Sequence, residues 1–334
     1  MRIWWFAFGY FACYAPYSAL TKAVTEGGLP GQLRAVSGFE LLPLTVLASM
    51  VAMIAFLWLS GWWRAAGRRR LFGLDVPVPS RWTFLSGLCS ATIIGTTTLA
   101  YTFSGTSIVF MMLLLRGGVL ALAPAVDALT GRRVHWFSWV ALALSLGALV
   151  VAFAEKSGFH MTLLASVDVL AYLLAYFIRL RFMSRLAKSA DAGANRRFFV
   201  EEHIVSSPAL LLFLGIGALI GGDGMLGELR RGFTELWATS GVVWEAILIG
   251  VLSEGTGVFG GLILLDKREN TFCVPVNRSS SILAGVAASL GLSALRGDPV
   301  PSGFELVGAG MIIGAIVFLT VPPMIAKRRA LLRA

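Results

Sequence analysis

The chain has 334 residues, 57% of them hydrophobic and only 14% charged, with a net charge of +10 and a mean hydropathy of +0.79. Soluble domains carry about a quarter charged residues, so a soluble fold is excluded and an integral membrane protein is expected. The basic residues cluster between apolar stretches, the pattern of membrane-flanking loops and not of a nucleic-acid groove.

A hydrocarbon core needs roughly 20 apolar residues per crossing. Ten segments supply them: 3–23, 39–63, 82–103, 105–128, 134–154, 161–183, 198–221, 241–265, 271–294 and 303–326. The first follows Arg2 as a long aromatic-rich run without a small-residue cleavage site, so it reads as a retained helix and not a signal peptide. The third and fourth meet at a tight Ser104-Gly105 turn. The fourth contains Arg116 with about ten apolar residues on either side, too deep to snorkel. The ninth is interrupted by Asn277-Arg278-Ser279-Ser280-Ser281 after Pro275, which predicts a loosened helix lining a cavity. No stretch between segments is long enough for a soluble domain.

Loop charge sets the orientation. Sixteen basic residues flank the segments on the side of the N-terminus, among them Arg68–Arg70, Arg132-Arg133, Arg196-Arg197 and Lys267-Arg268, against six on the other side. The positive-inside rule then places both termini in the cytoplasm, in agreement with an even number of crossings. A bacterial inner membrane is the expected location.

At an offset of 162 residues Tyr10 aligns with Tyr172, Tyr14 with Tyr176, Glu40 with Glu202, Gly95 with Gly257 and Arg116 with Arg278. Rare residue types inside apolar helices carry most weight in such a match. The pattern predicts two five-helix repeats, 1–158 and 159–334. An odd number of crossings inverts the second repeat relative to the first. The expected fold is therefore an all-α membrane protein of ten transmembrane helices in two inverted halves. Transporters of this architecture place the solute site at the repeat interface near the midplane.

An arginine at the centre of a spanning helix costs roughly 3 kcal/mol, so Arg116 and Arg278 need a reason. They either hold an anion between two guanidinium forks or pair with a membrane carboxylate. Glu40, Asp168, Glu202, Glu245 and Glu254 are the available partners. Tyr10 and Tyr14, like Tyr172 and Tyr176, are spaced i, i+4 and share a helix face, so they line a cavity or pack as core rings. Tyr101 and Asn277 are weaker candidates for the same lining. Glu254 and Asp168 are candidate proton-coupling groups or counter-ions, whereas Glu40, Glu201, Glu202 and Glu245 are expected nearer helix ends and solvated.

Cys13, Cys89 and Cys273 show no paired spacing, and the histidines are scattered. No metal site, disulfide framework or cofactor is predicted. The chain carries no HExxH, GxSxG or Walker A element, which argues against a hydrolase or an ATP-driven pump.

The stretch LAYTFSGTSIVFMMLLLRGGVLALAPAVDALTGRRVHWFSWVALALSLGALVV, with ten segments in two halves, resembles the drug/metabolite transporter superfamily. Its LLLRGG element is more similar to the nucleotide-sugar and organic-phosphate translocator branch than to the EamA-type exporters. The resemblance implies that Arg116 and Arg278 stand where that branch holds phosphate. Asn277-Arg278 replaces the Lys-Arg pair of the plastid translocators. The expected activity is secondary transport of an anionic organic metabolite, phosphorylated ones included, by exchange or with protons, in a monomer or homodimer with lipid as its surroundings. The alternatives are an exporter of amino acids or amphipathic metabolites with structural arginines, and a lipid flippase or non-transporting scaffold.

Overall fold

The computed structural model describes residues 2–71, 74–100, 108–154, 163–189, 191, 193–239, 241–297 and 303–331. Eleven α-helices carry the fold: α1 (Arg2–Thr25), α2 (Gly38–Leu59), α3 (Arg81–Ala100), α4 (Ile108–Leu129), α5 (Trp136–Ala154), α6 (Leu163–Phe182), α7 (Ala194–Ile220), α8 (Met225–Thr234), α9 (Val243–Leu264), α10 (Asn270–Arg296) and α11 (Gly303–Leu331). Each of the ten predicted segments falls on one helix, and α8 is the addition. Among the described residues, five helices are long and apolar enough to cross a membrane: α2, α7, α9, α10 and the Leu306–Ala326 part of α11. The chain is thus a multi-pass membrane protein. Its outer surface agrees, because large apolar side chains such as Phe8, Leu219 and Leu295 point outward, which water would not tolerate over such an area.

Helix ends are set by local chemistry. The Ser37 hydroxyl caps α2 by accepting from the Glu40 N–H at 3.2 Å. Gly297, at φ 74°, closes α10 in a left-handed conformation that side chains disfavour. Two short elements escaped the sequence reading. The first is an antiparallel hairpin of β1 (Arg68–Leu71) and β2 (Leu74–Pro77), with Arg70 opposite Asp75. The second is α8, whose Gly232 lies against the backbone of Glu40 and the ring of Pro43 on α2. The Ser104-Gly105 turn lies outside the described residues.

The two ends of the bundle are defined by contacts between loops. At one end the Arg132 side chain donates to the carbonyls of Ser184, Lys188 and Lys267, and Gly67 and Ser80 donate to Glu201. This is the end with the basic clusters. At the other end Ser37 donates to Glu228 at 2.8 Å and Arg296 approaches Glu26 at 3.4 Å. Exposed tryptophans mark both rims, with Trp58, Trp82 and Trp136 at the basic end and Trp237 and Trp244 at the opposite one.

Within the bundle α1 packs on α9 and α10, and α6 packs on α3 and α4. α2 lies against α9 and α7 against α3, while α4 meets α10, α2 meets α7, and α5 meets α11. The main core joins α1, α4, α6 and α10 through residues such as Ile3, Val119, Leu120, Val169, Phe272 and Val276.

Candidate functional site

The depth of the two arginines follows from how α4 and α10 are pinned together. Near the end of α4, Asp127 accepts from the backbone N–H of Asn270 (2.8 Å) and of Thr271 (2.7 Å), the first residues of α10. The two helices therefore run antiparallel from a fixed register. Arg116 lies eleven residues before Asp127, and Arg278 lies eight after Asn270. At about 1.5 Å per residue these positions are roughly 16 and 12 Å from the pin. Both guanidinium groups thus start from nearly one level of the bundle.

Four tyrosines surround that level. On α1 the rings of Tyr10 and Tyr14 are stacked, with centroids 5.5 Å apart and planes inclined by 15°. On α6 those of Tyr172 and Tyr176 are 4.9 Å apart and tilted by 54°. Arg116 Nη2 donates to the Tyr14 hydroxyl oxygen at 2.7 Å. The Arg278 guanidinium carbon lies 5.0 Å from the Tyr176 ring centroid, within cation–π range. Tyr10 is in electrostatic reach of both arginines, which makes the group one cluster. Asn277 joins it, since its amide and the Tyr10 ring both approach the bare Cα of Gly260. A side chain at Gly260 would collide with both.

The polarity of this cluster is lopsided. Arg278 is 8% exposed, and its buried Nε has no hydrogen-bond partner. The groups that act on its charge are Tyr176, Tyr172 and Tyr10, and among the described residues no carboxylate makes an ion pair with it. Cation–π contacts contribute about 0.5–2 kcal/mol each, less than the roughly 3 kcal/mol cost of placing an arginine at mid-span. The single close ring contact of Arg278 therefore does not by itself offset that cost.

Glu40, Glu202 and Glu254, considered as partners, are engaged elsewhere. Glu202 is 1% exposed and forms a fork with Arg179 of α6, at 2.8 Å to Nε and 2.9 Å to Nη2. Ser86 and Ser90 of α3 complete its shell at 2.6 and 3.1 Å. Glu40, 2% exposed, pairs with Arg34 in the loop before α2, and those hydrogen bonds hold the Arg34 guanidinium above its ordinary pKa. Glu201 is 1% exposed and accepts from Arg197, Thr83, Gly67 and Ser80. The expectation that Glu40, Glu201 and Glu202 are solvated helix-end groups is therefore corrected. Each is buried because backbone or side-chain donors enclose it. Glu254 is buried on α9, and the Ser49 hydroxyl of α2 donates to it. Asp168 is buried on α6 with one carboxylate oxygen unpartnered. Neither makes an ion pair with an arginine among the described residues. Tyr101 lies outside the described residues.

A second correction concerns α10. It is one continuous helix from Asn270 to Arg296, and Asn270 through Ser281 are all buried. Two of its three serines bond back to the helix, Ser280 to the carbonyl of Val276 at 2.9 Å and Ser281 to that of Arg278 at 2.8 Å, while the buried Ser279 hydroxyl has no partner. Sequence reasoning also missed Arg179, hidden near the end of an apolar run, together with Asp127, Lys188 and Asn270. The signal was present in the pairing of Arg179 with Glu202, two charged residues 23 positions apart on consecutive segments. Among the described residues no group of three His, Cys, Asp or Glu side chains is placed to hold a metal. His203 stacks on Phe199 at 4.1 Å.

No family model matches the chain, and no curated protein matches it. Solved structures similar in fold include one described as "Crystal structure of protein", with a TM-score of 0.60, 16% identity and 98% of each chain covered. At that identity the likeness shows the fold alone, over the whole length of both chains.

Proposed function

We propose that this chain is a secondary transporter of the drug/metabolite transporter superfamily, built from two inverted five-helix repeats and moving an anionic organic metabolite by alternating access. In this reading α1–α5 correspond to α6, α7, α9, α10 and α11, and both termini face the cytoplasm. The packing supports the correspondence. Exchanging equivalent helices turns the contacts of α1 with α9 and α10 into those of α6 with α3 and α4, and the contact of α2 with α9 into that of α7 with α3. The pairs α4–α10, α2–α7 and α5–α11 map onto themselves, as pairs across a two-fold axis must.

One observation carries the functional reading. Each arginine engages the aligned tyrosine of its own half, Arg116 with Tyr14 and Arg278 with Tyr176, and the two pairs meet around Tyr10. Two cations near one depth, with no carboxylate paired to Arg278 among the described residues, fit an anionic solute held between halves that rock against each other. Phosphorylated and carboxylated metabolites both meet that requirement.

The test is counterflow of phosphorylated, carboxylated and neutral metabolites into proteoliposomes, with Arg116→Gln and Arg278→Gln beside the parent. Each replacement removes charge-assisted hydrogen bonds and should reduce uptake by about tenfold to a hundredfold at unchanged folding. Parental rates in both variants would sink the site. Uptake confined to neutral or zwitterionic solutes would turn the reading to an exporter with structural arginines.

A further inference from the structure

We infer that the polar cluster around Asp127 is a latch that closes the bundle at its basic end, and that release of this latch opens the path from that end to the arginines. The inference rests on the transport reading for what passes, and on geometry alone for the latch itself.

Asp127 is fully buried. Its Oδ1 accepts from the Asn270 N–H and Nδ2, both at 2.8 Å, and its Oδ2 from the Thr271 N–H and hydroxyl, both at 2.7 Å. Asn270 Nδ2 also donates to Ser184 Oγ at 2.7 Å, and Lys188 Nζ donates to Asn270 Oδ1 at 3.0 Å and to the Arg268 carbonyl at 2.8 Å. An ordinary helix cap comes from the residue just before the helix. Here the residue before α10 is Glu269, which makes no side-chain cap and instead accepts from Ser138 of α5 at 2.8 Å. The capping carboxylate comes from α4, 143 residues away. The first turn of α10 is thus satisfied only while α4, α10 and the segment that follows α6 stay together at this end. Separating them leaves a carboxylate and four donors without partners in one step, so the device has two states, bound or released.

The molecule carries its own reporter. Cys273 lies one turn inside the latch, with no exposed surface and its Sγ 3.7 Å from Lys188 Nζ. Release of the latch uncovers it. Cys89, 7% exposed on α3, lies away from the α4–α10 seam and serves as the internal control.

The experiment measures modification rates of Cys273 and Cys89 by a polar maleimide, peptide by peptide, on the full chain carrying Cys13→Ala. In Asp127→Asn an NH2 replaces one acceptor oxygen while volume is kept, so labelling of Cys273 should accelerate about tenfold or more with Cys89 unchanged. Ser184→Ala, which deletes the acceptor of Asn270 Nδ2, should act in the same direction with a smaller factor. Equal Cys273 rates in parent and Asp127→Asn would overturn the latch, and so would parallel acceleration of both thiols, which marks general loosening. If the variant does not fold, Ser184→Ala decides by the same readout. Because labelling needs no solute, a parent that moves no metabolite while its variants label as expected refutes the transport reading and leaves the latch standing.

Discussion

The Arg116–Arg278–tyrosine cluster and the Asp127–Asn270–Lys188 cluster both join α4 to α10, yet their polar groups are satisfied in opposite ways. Around Asp127 each carboxylate oxygen accepts two hydrogen bonds of 2.7–2.8 Å. Around Arg278 a buried nitrogen has no partner, and neutral rings stand where a carboxylate would be expected. A saturated network holds elements in place, because any movement costs it bonds. An unsaturated one is tolerated only where something else completes it. The contrast separates a place where the helices are tied by fully used hydrogen bonds from one where bonding capacity is left over.

Removing a buried arginine tests this contrast through its sign. The Arg179–Glu202 fork belongs to the saturated kind, with two serines closing its shell. Arg179→Met strands a buried carboxylate and should lower stability by about 3–5 kcal/mol, measured as the thermal midpoint of the purified protein in detergent. A loss below 1 kcal/mol would place Arg179 among the dispensable charges. Arg278→Gln should do the reverse, leaving that midpoint unchanged or raised while uptake collapses, because it removes a charge the fold does not neutralise. A drop of several degrees would make Arg278 a structural residue. The smallest effects distinguish the two halves of the cluster. Tyr14→Phe deletes the acceptor of the Arg116 hydrogen bond and should weaken solute affinity by about tenfold. Tyr176→Phe removes the hydroxyl that bonds Arg278 but keeps the ring beneath it, and should change affinity less, by about threefold. Affinities of the two variants in the reverse order would show that hydroxyl and ring contributions are exchanged between the halves.

The sequence made the helices legible because each is an apolar run of membrane length, a signal that needs no knowledge of neighbours. It made Arg116, Arg278 and the tyrosine pairs legible because such residues are costly at mid-span and recur at one offset. Partnership was less legible. Glu202 reads as a helix-end charge until Arg179 and two serines of α3 are seen around it. Asp127 gains its meaning from Asn270 and Thr271, far along the chain. The Asn-Arg-Ser-Ser-Ser run was read as a loosened helix because hydropathy scores serine as polar, whereas Ser280 and Ser281 meet their needs within their own helix. The hairpin at Arg68–Pro77 was hidden by its composition, since three consecutive arginines read as loop charge before they read as strand.

The tryptophans at the two rims also set the kind of bilayer this protein fits. α2 and α9 are 22 residues each and carry Trp58 and Trp244 near opposite rims. At about 1.5 Å per residue each spans roughly 33 Å, close to a hydrocarbon core of about 30 Å. These helices are therefore long enough to cross a membrane of ordinary thickness with a moderate tilt. A thinner one would force them to tilt further and shear the rims against each other. Bilayer thickness thus acts on both rims at once, without any contact to the arginines or to Asp127.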